Sequence, residues 1–146
     1  MKADLKRILL AEDNANDVEL TLTALKTNHV LNEVVVTRDG AETLDYLYRR
    51  NAYSDRAPAP PVLMLLDLKM PKVDGLEVLR QVKSSAELRT IPVVVLTSSR
   101  EEQDLVRSYD LGVNAYVVKP VDFHEFVEAV KLLGGFWAVI NEPPPR

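Results

Sequence analysis

Residues 65–75 read LLDLKMPKVDG: an apolar run ends in Asp67, and Lys69, Pro71 and Gly75 follow at once. With Val62, Leu63 and Met64 in front of it, the run has the length of one strand. An acid at a strand end ordinarily serves solubility or capping, so a chemical role for Asp67 depends on what stands at the ends of the other strands. Four more runs of the same kind occur: RILLA (7–11), EVVVT (33–37), PVVVLT (92–97) and AYVVK (115–119). Their near-continuous apolar character predicts parallel strands covered on both faces. Segments with helical spacing lie between them, such as Val18, Leu22 and Leu25, or Ala41, Leu44, Leu47 and Tyr48.

Each helical segment also opens on a small polar residue followed three positions later by glutamate. The pairs are Asn16 and Glu19, Asp39 and Glu42, Asp74 and Glu77, Ser99 and Glu102, and Asp122 and Glu125. In such a capping box the first side chain accepts from an orphan N–H and the glutamate reaches back. Strand and helix therefore alternate through the chain, which implies right-handed crossovers and a doubly wound (βα)5 domain with a five-stranded parallel sheet. The proline-rich stretch NAYSDRAPAPP (51–61) is expected to be a surface loop, and GGFWAVINEPPPR (134–146) to extend the last helix and stop it with prolines.

Composition narrows the function. The chain has 146 residues, 47% of them hydrophobic and 27% charged, a balance that suits one globular domain burying roughly 70% of its unfolded surface. The sequence contains no cysteine, which excludes disulfides, thiolate metal sites and thiol catalysis and fits a reducing compartment. The N-terminus lacks a secretory apolar stretch of adequate length, so a cytoplasmic protein is expected. A net charge of −4 with scattered lysines and arginines offers no stripe for nucleic acid, and no run is long enough for a membrane span.

In open α/β sheets, ligands bind outside the carboxyl ends of the strands. Those ends carry Glu12 and Asp13, then Asp67, Thr97 and Lys119. With strand order 2-1-3-4-5 the first and third strands lie about 4.8 Å apart, bringing Asp13 and Asp67 to one cation. Carboxylates so close repel one another unless a hard divalent cation and an ammonium neutralise them, and oxygen-only ligands suit Mg2+.

AEDN with Asp13, LLDLKMPKVDG with Asp67, VVVLTSS with Thr97 and AYVVKP with Tyr116 and Lys119 together resemble the receiver domain of two-component response regulators, and the resemblance runs from residue 7 to about 133. It shares in the choice of the 2-1-3-4-5, flavodoxin-like order, which is that of a chemotaxis receiver. It implies a receiver domain over 5–141 with a proline-rich tail over 142–146. Asp67 would accept a phosphoryl group from a sensor histidine kinase. Asp13 and Asp67 would hold Mg2+ directly, Glu12 largely through water, and the Lys69 backbone carbonyl would add an oxygen. Lys119 would pair with a phosphoryl oxygen, Thr97 would move its hydroxyl onto another, and Tyr116 would swing inward as the reporter. Gly75 would relieve crowding, Pro71 would shape the loop, and the Lys119-Pro120 bond would be cis. Lys69 and Ser99 occupy positions that the family varies to set phosphate lifetime.

Alone, each residue has an ordinary reading: Thr97 as a β-former, Lys119 as a solvated strand end, Tyr116 as a strand aromatic, Asp13 as a helix-entry acid. His29 and His124 are read as surface residues, and Asp74 and Asp122 as caps. A haloacid-dehalogenase-type phosphatase would need a second aspartate at position 69, where Lys69 stands. Neither G-x-G-x-x-G nor G-x-x-x-x-G-K-[ST] occurs, against nucleotide binding. A receiver fold kept as a binding module without phosphorylation is opposed by the complete acidic set, threonine and lysine.

With no room for an output domain after residue 141, the chain is expected to be a non-enzymatic regulator acting by protein binding on a downstream target. The long loop and the tail are similar to those of stand-alone regulators of bacterial phytochrome kinases. A homodimer is expected through the fourth and fifth helices and the strand between them. Phe123, Phe126, Val127, Val130, Leu133, Phe136, Trp137 and Ile140 offer more apolar surface than one helix face needs, with Phe136 and Trp137 at the interface or, as the alternative reading, folded back on the domain.

Overall fold

The computed structural model describes residues 7–27, 32–109, 111–113 and 115–132. Five strands, β1 (Ile8–Ala11), β2 (Val34–Thr37), β3 (Leu63–Asp67), β4 (Val93–Thr97) and β5 (Tyr116–Val118), alternate with five helices. The helices are α1 (Ala15–Thr27), α2 (Gly40–Tyr48), α3 (Gly75–Ser84), α4 (Arg100–Ser108) and α5 (Phe123–Leu132). All strand pairs are parallel, in the order β2-β1-β3-β4-β5. The parallel alternation is that expected from the apolar runs, and the order is that to which the resemblance contributed.

The sheet splits its side chains between two cores. Leu9, Ala11, Met64, Leu66, Val93 and Val95 pack with Leu44 and Leu47 of α2, Val78, Leu79 and Val82 of α3, and Val106 of α4. Ile8, Leu10, Leu63, Leu65, Val94, Leu96 and Val117 pack on the opposite side with Val18 and Leu25 of α1 and Phe126 and Ala129 of α5. Successive strand residues point to opposite faces, so two covered faces require strands that are apolar at every position.

Caps position the helices. Asp39, Asp74 and Ser99 accept from the N–H of Glu42, Glu77 and Glu102, and Asp122 accepts from Glu125 N–H. Glu42 and Glu102 reach back to the N–H of Arg38 and Ser98, one residue before each cap. The first box is corrected: the cap of α1 is Asn14, whose Oδ1 accepts from Asp17 N–H at 3.0 Å, and not Asn16. The chain turns into α1 immediately after the strand-end acids, two residues before the predicted start.

The loop over 51–61 carries a short 3-10 turn at Asn51–Tyr53 and is tied down by Arg56. The Arg56 guanidinium donates to the carbonyls of Tyr46 (2.9 Å) and Ala59 (2.8 Å) and lies 4.3 Å from the centre of the Tyr46 ring. No helix among the described residues is long and apolar enough to cross a membrane.

Candidate functional site

Strand register brings the acids together. Ala11 of β1 is paired with Leu66 of β3, so the next residues, Glu12 and Asp67, emerge side by side at the carboxyl edge. Oxygens of Glu12, Asp13 and Asp67 all lie within 4.8 Å of one another, a grouping that fits a hard, oxygen-seeking cation. Glu12 is fully buried, Asp67 nearly so, and Asp13 faces solvent.

The electrostatics of these acids follow from burial. Desolvation, helped by the charge of Asp67, pushes Glu12 up to about 7, against the pull of Lys119 and the Asn14 N–H. Burial also raises Asp67, opposed by Lys119 and by the backbone N–H of Lys69. Such a pair is poorly neutralised by protein groups alone, so a divalent cation fits the chemistry of this donor set.

Lys119 provides the cationic side of the site. β5 follows β4, and the Lys119 N–H donates to the Thr97 carbonyl at 2.8 Å, bringing the side chain back over the strand ends. The Lys119-Pro120 bond is cis, as the resemblance implied. Nζ lies 3.0 Å from Asp17 Oδ2, 3.2 Å from Asp67 Oδ1 and 3.3 Å from Glu12 Oε1. Burial works against the ammonium charge, but Asp17, Asp67 and Glu12 outweigh it and raise its pKa.

Thr97 closes β4, is fully buried, and its Oγ1 has no hydrogen-bond partner among the described residues. A buried hydroxyl left unpaired is costly, so this atom is poised to accept a new partner. Tyr116 is half-buried; its hydroxyl donates to the Val113 carbonyl at 3.2 Å, and Arg107 lies 4.9 Å from its ring centre. Lys69 extends its side chain away from the acids to Glu102 Oε2 at 3.0 Å.

Sequence reasoning missed two participants, Asp17 and Glu102. Asp17 stands in the first turn of α1, where an acid is ordinarily read as serving the helix dipole, so the chain itself gave no signal of its pairing. Glu102 was read as a cap partner alone. The apolar surplus of the last helix is partly accounted for within the domain: Phe126 is buried, and Phe123 and Val127 pack against the same core. The side chain of Val130, and Leu133, Phe136, Trp137 and Ile140, lie outside the described residues, as does His29, whereas His124 is exposed as expected.

Comparison with known proteins agrees with this geometry. The family described as "Response regulator receiver domain" matches residues 8–131. Response regulator Rcp1 of Synechocystis sp. (strain ATCC 27184 / PCC 6803 / Kazusa) is 40% identical over 132 residues, covering 90% of this chain and 88% of Rcp1. The crystal structure of its Mn(2+)-bound form aligns with a TM-score of 0.72 at 36% identity, over 97% of this chain and 99% of that one. The bacteriophytochrome response regulator AtBRR aligns with a TM-score of 0.89 at 64% identity, over 94% of this chain and 98% of its own. For the bacteriophytochrome response regulator RtBRR the values are 0.88 and 62%, over 96% and 84%.

Proposed function

The chain belongs to the response regulator receiver family, and from that premise we propose that Asp67 accepts a phosphoryl group from a sensor histidine kinase in an Mg2+-dependent reaction. The observation that carries the reading is the placement of Asp67 within reach of Glu12, Asp13 and Lys119 at one sheet edge. Asp13 and Asp67 would hold the Mg2+ directly and Glu12 largely through water, with the Lys69 carbonyl as a further oxygen. Once bound, the ion supplies positive charge opposite the phosphoryl oxygens.

An oxygen of the Asp67 carboxylate attacks the phosphorus of a phosphohistidine. The P–N bond breaks, its electron pair returns to the imidazole, and the new P–O bond leaves an acyl phosphate on Asp67. Lys119 pairs with one phosphoryl oxygen. The Thr97 hydroxyl, without a partner among the described residues, takes another. Tyr116 then exchanges its bond to the Val113 carbonyl for an inward position, carrying the change to the α4–β5–α5 face.

The output is protein binding, not turnover of a substrate, and the receiver domain spans 5–141 ahead of the tail. The likeness to two bacteriophytochrome response regulators supports a phytochrome-type histidine kinase as the phosphoryl donor, with both proteins acting in the cytoplasm. A homodimer forms on the α4–β5–α5 face, extended by Phe136 and Trp137.

Acetyl phosphate with Mg2+ is expected to label the protein at Asp67, and a chelator to abolish the label. An Asp67→Asn variant labelled as well as the wild type overturns the assignment.

A further inference from the structure

Lys119 Nζ meets three carboxylates, one for each of its N–H bonds, and the nearest is Asp17 at 3.0 Å. Asp67 and Glu12 lie slightly farther away, at 3.2 and 3.3 Å. Those two belong, with Asp13, to the group of acids that can close on one cation, and Asp17 does not. Asp17 also comes from a different element, the first turn of α1, and its side chain is 25% exposed where those of Glu12 and Asp67 are 0% and 4%. A cation among Glu12, Asp13 and Asp67 takes up their charge and repels the nearby ammonium. Asp17 alone then continues to attract it.

Resting on the reading of Asp67 as phosphoryl acceptor, we propose that Asp17 is a positioning residue: the lasting counterion that keeps Lys119 over the site while the other carboxylates are committed to the cation. An ammonium has donors to spare for this. Lys119 exchanges its contact with Asp67 Oδ1 for a phosphoryl oxygen and keeps its contact with Asp17 throughout. Asp17 has an ordinary role too, since an acid in the first turn of a helix is favoured by the helix dipole. That role does not depend on Lys119, which allows the two to be separated.

The test is a double-mutant cycle on the full chain, with beryllofluoride as the acyl-phosphate mimic in saturating Mg2+ and its affinity read by titration calorimetry. Asp17→Asn, nearly isosteric, is expected to weaken beryllofluoride binding about tenfold, the scale of one charge-assisted hydrogen bond. In the Lys119→Ala background the same substitution is expected to change the affinity by less than about twofold. An equal loss in both backgrounds, or no loss in either, overturns the proposal and leaves Asp17 as a helix-terminal charge. Failure of the wild type to bind beryllofluoride and to take label at Asp67 overturns the underlying reading instead, before any Asp17 variant is made.

Discussion

Gly75 opens α3 directly against the backbone of the acceptor strand: a Cβ there would overlap the Asp67 carbonyl oxygen and lie 2.6 Å from Leu68 Cα. Both obstacles are main chain, which cannot rotate away as a side chain could. The Gly75 N–H also donates to the Leu68 carbonyl at 2.9 Å, holding the two segments together. Gly75→Ala is therefore expected to lower stability by about 1–3 kcal/mol, the usual cost of overpacking, and to slow labelling of Asp67 by displacing its backbone. Denaturant unfolding and acetyl phosphate labelling check the two effects, and an unchanged midpoint contradicts the packing argument. At this scale the role of Gly75 was available in advance only through the receiver resemblance. The pairing of Asp17 was not, because its partner Lys119 follows β5, far along the chain.

Among the helices, α4 shows few buried side chains over its described residues. Its Val106 is buried, but Leu105 is 53% exposed and Glu101, Asp104 and Arg107 face solvent. Few buried apolar contacts mark a segment that shifts at low cost. Glu102 accepts from the Ser98 N–H just after β4 at 2.8 Å and ties this helix to the loop after β3 by pairing with Lys69 at 3.0 Å. Burial opposes its charge, but the Ser98 N–H and Lys69 hold its carboxyl below the usual glutamate range. A depressed folded-state pKa gives stability that is present above the unfolded value and lost as pH falls through the folded one. Glu102→Gln is thus expected to cost about 1 kcal/mol near neutral pH, where the exposed Lys69 adds little. The difference from wild type should shrink in acid. Unfolding at several pH values tests this, and a pH-independent difference would falsify the assignment of the effect to the carboxylate.

For the molecule as a whole, the acidic edge links metal binding to folding. The three acids converge only when β1 and β3 are paired, so the proposed Mg2+ would bind the folded chain in preference to the unfolded one. A hundredfold excess over the dissociation constant is expected to stabilise the protein by about 2.7 kcal/mol, reversed by a chelator. A melting temperature indifferent to Mg2+ contradicts the metal site. Association belongs to the same scale. Phe126 and its neighbours serve the domain's own core, so the proposed dimer rests on the α4–β5–α5 face and on Phe136 and Trp137. Sedimentation at tens of micromolar, with and without beryllofluoride, is expected to show a dimer; a monomer in both states excludes it.

Local patterns in the chain determined the elements and much of the site. Continuous apolar runs specified buried parallel strands, four of five capping boxes marked true helix starts, and Asp13, Asp67, Thr97 and Lys119 stood at strand ends where chemistry is expected. These features depend on neighbours in the chain, so they can be read along it. Tertiary structure alone decided which groups share a charge environment. That Lys119 divides its ammonium among Glu12, Asp17 and Asp67, that Lys69 turns to Glu102, and that Thr97 Oγ1 is left unpaired among the described residues all follow from the packing of distant segments. Electrostatic partnership depends on distance in space and on lost water, and neither has a period or a spacing along the sequence.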